Sequence, residues 1–122
     1  MNILLDSSVL IDLIKGKVKL DFSEKYYINP IVYSEVLYGL LYIGKSETDF
    51  QQFLESNRVE SISIGTNTAG IYTNLKLKLR ENNDSIADND LLIGASCLEH
   101  DLTLYTLNTK HFKRIPNLKL LW

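Results

Sequence analysis

Several things are scarce in this sequence, and each scarcity excludes something. Its 122 residues include one cysteine, Cys97. A disulfide framework and a cysteine-built zinc site are both excluded, because each needs several cysteines. A reducing cytoplasm fits. There is no basic excess: 13 Lys and Arg stand against 15 Asp and Glu, for a formal net charge of −2. That excludes holding nucleic acid by bulk charge but leaves room for a local basic groove. No run approaches the ~20 apolar residues of a membrane span. The N-terminal "MNILLDSSVLIDLIKGK" is broken by Asp6 and Asp12 and has neither a basic start nor a small-residue cleavage site. It is therefore not read as a signal peptide. The expectation is a cytoplasmic protein with no membrane partner. Repeats, linkers and low-complexity segments are missing too. What is left is an ordinary globular composition, 45% hydrophobic and 23% charged. The length fits one domain, residues 1–122, able to bury its own core.

Within that length, apolar runs alternate with helical patterns. "NILL" reads as a buried strand ending at a helix-capping cluster, Asp6-Ser7-Ser8. "VLIDLIKGK" reads as a short helix ending near Gly16, and "KYYINP" as a strand stopped by Pro30. Residues 31–43 have helical spacing, with Val32, Val36, Leu40 and Ile43 on one side and Glu35 among them. A helix capped by Ser46 follows, then a strand in "VESISI". A longer helix runs from Thr66, and another carries Asp88 and Asp90 at its start. "LTLYTLN" reads as a strand, "TKHF" as a turn or short helix, and "LKLLW" as a last short strand. This alternation predicts an α/β domain with a mainly parallel sheet. Ligands of such sheets bind beyond the carboxyl ends of the strands, where Asp6 and Asn108 fall.

The acids raise the chemical question, because "SIADNDLLIGA" sets Asp88 and Asp90 just before an apolar run. Each acid also has a plain structural reading. Asp6 could only cap a helix, Glu35 could be a solvated helix residue, and Asp88 could be an N-cap with Asp90 in the first turn, where the helix dipole favours acids. The functional reading gathers three or four of them at the sheet edge. Such a cluster repels itself by about 4 kcal/mol per pair at ~4 Å and an effective dielectric of ~20. It then protonates or recruits a cation. Oxygen-only donors suit Mg²⁺ or Mn²⁺ and disfavour zinc. A bound ion of that kind can activate water and draw charge from a phosphate. Cys97, on the apolar course of its helix, reads as a buried core thiol and not a nucleophile.

Three blocks, "ILLDSSVLIDLIKG", "PIVYSEVLYGL" and "IADNDLLIGASCLEHDLTLYTLNTKHFKRIPNLKLLW", resemble the PIN-domain toxins of VapBC toxin–antitoxin systems. The resemblance spans residues 3–122. It implies a three-layer α/β/α domain with a mainly parallel sheet, and metal-dependent endonucleolytic cleavage of RNA with Mg²⁺ or Mn²⁺. By position it implies Asp6, Glu35 and Asp90 as catalytic and metal-binding acids, with Asp88 as a further metal ligand. Ser7 and Asn108 take supporting places. Lys110, Lys113 and Arg114 are the expected contacts to RNA phosphates. It also implies a cognate antitoxin covering the site, and a homodimer.

The chain departs from the family pattern at three places. The common D-T-N near the start is Asp6-Ser7-Ser8, the family's Ile-Gly before the acidic helix is Ile86-Ala87, and His111 stands where a fourth acid is usual. Asp88 is the candidate substitute for that acid, and His111 a candidate for a phosphate or metal-water contact. Tyr33, Tyr38, Leu41, Tyr42, Phe50 and Phe53 make residues 31–55 rich in large apolar groups. They either pack on one another and the sheet or expose a groove for an antitoxin helix. Two other functions compete: a catalytically weakened binding module of the same fold, and a small α/β phosphatase. The phosphatase needs Asp-x-Asp after the first strand, and Ser8 stands at its second position.

Overall fold

The computed structural model describes all of residues 1–122. The first strand, β1 (Asn2–Leu5), is the centre of the sheet. Ile3, Leu4 and Leu5 are all buried, as expected of a strand covered on both faces. It pairs in parallel with β2 (Lys25–Ile28) on one side and β4 (Thr103–Tyr105) on the other. The outer strands are β3 (Val59–Ser61), on β2, and β5 (Leu120–Leu121), on β4, both parallel. The order is β3-β2-β1-β4-β5, so the expected mainly parallel sheet is wholly parallel. Helices flank it in the three-layer α/β/α arrangement.

The chain builds outward from β1 to β2 and β3, then crosses back to β4 and β5. Strand order therefore reverses between β1 and β4, and at such a reversal the loops leave in opposite directions and open a crevice at the carboxyl ends. Local chemistry sets the helix starts around it. Asp6 caps α1 (Ser7–Ile14), accepting from Val9 N–H at 3.2 Å. Asn29 caps α2 (Pro30–Tyr42), where Pro30 sits at a position that needs no N–H. Ser46 caps α3 (Glu47–Ser56), as expected. Next come α4 (Thr66–Glu81), α5 (Asp88–His100) and the single turn α6 (Thr109–Phe112). Helix α1 packs on α2, and α4 on α5.

Several expectations need correction. The strand expected over "LTLYTLN" stops at Tyr105, because Leu107 N–H turns to Ser8 Oγ, at 3.2 Å, instead of extending the ladder. Asp88 is not the N-cap of α5. Ala87 holds that position without a side-chain bond, and Asp88 is the first helical residue. The apolar stripe of α2 is buried at Val32 and Val36 but ends exposed at Ile43, where the helix runs past the core. The aromatic residues of α2 and α3 divide. Phe50 is 2% exposed and has Tyr33 against it at 5.1 Å, whereas Tyr42 is 82% exposed. Cys97 is buried, as expected.

One glycine sets how closely the C-terminal segment approaches α5. A Cβ on Gly94 of that helix would lie 2.6 Å from Ile115 Cδ1. Its absence leaves room for the Ile115 side chain against α5.

Candidate functional site

Asp6 sits at the reversal point, after β1, and is 5% exposed. Its own N–H donates to Tyr105 O at the end of β4, at 3.1 Å. Its carboxylate accepts from three neutral donors. Oδ1 takes Ser8 Oγ–H at 2.6 Å and Val9 N–H at 3.2 Å, and Oδ2 takes the hydroxyl of Thr106. No Lys, Arg or His pairs with it. Thr106 is fully buried just after β4, and its oxygen also accepts Asn108 N–H at 2.9 Å. The hydroxyl is therefore oriented, with its proton committed to Asp6.

Ser7, the next residue, donates from Oγ to Glu35 Oε1 at 2.7 Å. This ties the acid on α2 to the loop that carries Asp6. Glu35, half-buried, also lacks a cationic partner. Asp90 lies in the first turn of α5 and meets His111 Nε2 through Oδ2, at 2.9 Å. His111 is therefore not a free surface residue, and its ring stands edge-on to Phe112.

Asp88 is held elsewhere. Residues i and i+2 of a helix point to different faces, and the Asp88 carboxylate turns to α4. There it accepts from Lys76 Nζ at 2.9 Å and Tyr72 O–H at 2.8 Å. The Lys76 hydrogen bond, then the Tyr72 hydroxyl, hold its carboxyl below the ordinary value of 3.8. Arg114 is not a free cation either. It donates from Nη1 to Asp84 and to Ser85 O, and from Nε to His111 O. Lys110 and Lys113 are exposed and form no ion pair. Asn108 precedes α6 without a side-chain capping bond.

Three oxygen-donor acids thus stand on separate elements, Asp6 and Glu35 linked through Ser7 and Asp90 braced by His111. Their chemistry fits a hard cation, since a buried carboxylate without a protein cation is costly unless something else compensates it. Yet no three His, Cys, Asp or Glu side chains lie close enough together to hold a metal ion as they stand. A cysteine nucleophile has no support: burial, then the charge of Asp6, push the Cys97 thiol far above its ordinary value. The largest concavity of the surface lies along α4, lined by Asn67, Asn74 and Lys78 among others. It contains none of the three acids, so size is no guide to the site here.

Thr106 and Ser8 were missed as partners of Asp6 by reasoning from the sequence. Their only signal there is a hydroxyl residue after a strand and another after an acid, and such residues are common. The pairing of His111 with Asp90 was missed as well.

Known proteins resemble the chain over its whole length. The PIN domain family pattern matches residues 3–118. The chain is 33% identical to "Ribonuclease VapC" of Rickettsia bellii, covering 99% of this chain and 96% of that protein. It is 30% identical to "Ribonuclease VapC1" of Rickettsia felis, with the same coverage. Its fold is similar to that in the crystal structure of VapBC2 from Rickettsia felis bound to a promoter DNA fragment. There the TM-score is 0.87 and the identity 30%, over 100% of this chain and 99% of that one. It shares its fold with VapBC-1 of nontypeable Haemophilus influenzae, at a TM-score of 0.83 and 24% identity over 99% and 97%. No helix is long and apolar enough to cross a membrane. With a buried acid at the reversal of a wholly parallel sheet and relatives that match end to end, the chain belongs to the PIN-domain family, among the VapC ribonucleases of toxin–antitoxin systems.

Proposed function

We propose that this chain is the toxin of a type II toxin–antitoxin pair and hydrolyses RNA phosphodiester bonds endonucleolytically at Asp6, Glu35 and Asp90, with Mg²⁺ or Mn²⁺ as cofactor. One observation carries the reading. Asp6 is buried at the strand reversal, held only by neutral donors, with its charge unmatched by any protein cation. A carboxylate so placed has its oxygens fixed by neutral donors and no protein cation beside it, which suits a cation entering the crevice.

Asp6, Glu35 and Asp90 would hold the ion. When bound, such an ion lowers the pKa of water and neutralises charge developing on the phosphate oxygens. The chain's own residues do the rest. Ser8 and Thr106 fix the Asp6 carboxylate, Ser7 fixes Glu35, and Asn108 N–H orients the Thr106 hydroxyl. Lys110 and Lys113, exposed beside this edge, are the cations available to RNA phosphates. Arg114, which already serves Asp84 and His111, is not among them, and Asp88 is left to Lys76.

The partner is an antitoxin, and the toxin itself a homodimer. An apolar groove of ≈ 280 Å³, lined by Ile11, Ile14, Val36, Leu40 and Ile43, runs up to Glu35. A helix laid there by its apolar anchors would cover the acidic edge.

The test is cleavage of total cellular RNA by the purified, antitoxin-free protein, with 5′ ends mapped in Mg²⁺ or Mn²⁺, in chelator, and with Asp6→Asn. Discrete metal-dependent cuts that vanish in the variant are expected. Identical end maps from folded protein in all samples would leave the binding-module reading standing in place of the nuclease.

A further inference from the structure

The segment "HFKRIPN" does more than carry charge. Arg114 reaches back along α6 and places Nη2 2.8 Å from His111 Nδ1. A guanidinium has only protons to give. The lone pair in that contact therefore belongs to Nδ1, and the ring proton belongs to Nε2. Nε2 is the atom 2.9 Å from Asp90 Oδ2. The contact between His111 and Asp90 has the spacing of an ion pair, but an imidazolium would carry a proton on Nδ1 facing the Arg114 N–H. The geometry therefore describes a neutral histidine donating to Asp90.

Arg114 is itself anchored. Its Nη1 is held by Asp84 and by Ser85 O, in the loop immediately before α5, and its Nε by the His111 carbonyl. The bonds close a circuit: loop 82–87, Arg114, His111, Asp90, and back to the start of the helix after that loop. Ile115, the residue after Arg114, sets its Cδ1 against Gly94 of α5, where an added Cβ would lie 2.6 Å away.

We propose that Arg114 is a positioning residue for the acidic site: it fixes His111 as the Nε2–H tautomer, so that a neutral donor holds Asp90 Oδ2 and leaves Oδ1 for a cation. The proposal rests on the reading of the three acids as a metal site. It gives a reason why His111 is compatible with the site: the imidazole adds no fourth negative charge and orients an acid already there. Partners in this outer position tune affinity through the ligand they hold.

The first experiment needs neither metal nor RNA. Long-range ¹H–¹⁵N correlation spectra of the full chain report which nitrogen of each histidine is protonated, and there are only two histidines to assign. The wild type should show His111 as the Nε2–H form. Arg114→Met should shift it toward a mixture with the Nδ1–H form, and Mn²⁺ should bind about tenfold more weakly, the lower end of the range for outer partners. Asp84→Asn, which loosens the anchor without emptying a packed site, should shift both in the same direction by less. It carries the test if Arg114→Met does not fold. An imidazolium or Nδ1–H form in the wild type overturns the proposal. So does an unchanged tautomer in the variants, or an altered tautomer with unchanged Mn²⁺ affinity. A wild type with the expected tautomer that neither binds Mn²⁺ nor cuts RNA defeats the nuclease reading and leaves the hold of Arg114 on His111 standing.

Discussion

Asp6 and Asp88 both stand at the start of a helix, and both are acids that a helix N-terminus welcomes. Their surroundings are opposite. Asp6 is buried and surrounded by two hydroxyls and a backbone N–H, with no cation. Asp88 is exposed, and its Oδ1 accepts from both Lys76 and Tyr72. Neutral donors fix a carboxylate's direction and leave its charge unmatched, while a lysine matches the charge. The difference lies in which distant groups the fold sets against each acid, and it separates an acid with no protein cation beside it from one that ties two helices together.

The largest effect that would break this contrast is at Asp6. Asp6→Asn should lower RNA cleavage by more than about 100-fold, beyond the loss from removing an outer partner. Asn caps a helix as well as Asp; its Nδ2 cannot accept the Thr106 hydroxyl, but removing the unmatched charge offsets that loss, so thermal unfolding should show little change in stability. Cleavage near the wild-type rate would remove Asp6 from the site. Next in size is Thr106→Val, which deletes the buried hydroxyl that holds Oδ2. Cleavage should drop by about 10- to 100-fold, and denaturant unfolding should report a loss of about 2 kcal/mol, as for a hydrogen bond to a charged group. If stability falls while cleavage stays, the hydroxyl serves only the fold.

Gly94→Ala tests the close approach of the C-terminal segment to α5. Ile115 is buried and must move, at a cost of about 1–2 kcal/mol for an overpacked core, measurable by denaturant titration. A neutral substitution would mean that the packing cost is no more than the roughly 1 kcal/mol that alanine gains over glycine inside a helix. The smallest effect belongs to Asp88. Asp88→Asn should leave cleavage unchanged, and its slight loss of stability should shrink with added salt, as expected of an exposed pair. The sign with pH comes from the depressed carboxyl. The contribution is present above the ordinary value of 3.8 and fades as pH falls through the lower folded value. The wild type and Asp88→Asn should therefore converge in acid. A strong loss of cleavage in Asp88→Asn would return this residue to the metal site.

The order of elements was legible because it depends on local pattern. Apolar runs of four, capping residues Asp6 and Ser46, and the stop at Pro30 each act within a few residues. The stripe of α2 was readable at Val32 and Val36, where the helix faces the sheet, and misleading at Ile43, where it has passed the core. Phe50 and Tyr42 look alike in the sequence, yet one is packed and the other exposed, because that depends on which helix crosses above them. The acids were legible as candidates from their positions after strands and at helix starts, but not as a geometry. Asp6 and Thr106 bond across 100 positions of chain, and no spacing rule reaches so far.

The sequence alone determined the alternation of strands and helices, the single buried thiol and the acids that had to be explained. Each comes from composition or from short-range periodicity. Only the tertiary structure decided that Asp6 meets hydroxyls and Asp88 meets Lys76, that Arg114 serves His111 instead of standing free, and that the three acids do not yet share one point. Those outcomes depend on which distant groups the reversed sheet brings within hydrogen-bonding distance, and a bond of that reach is a property of the packing, not of the neighbouring residues.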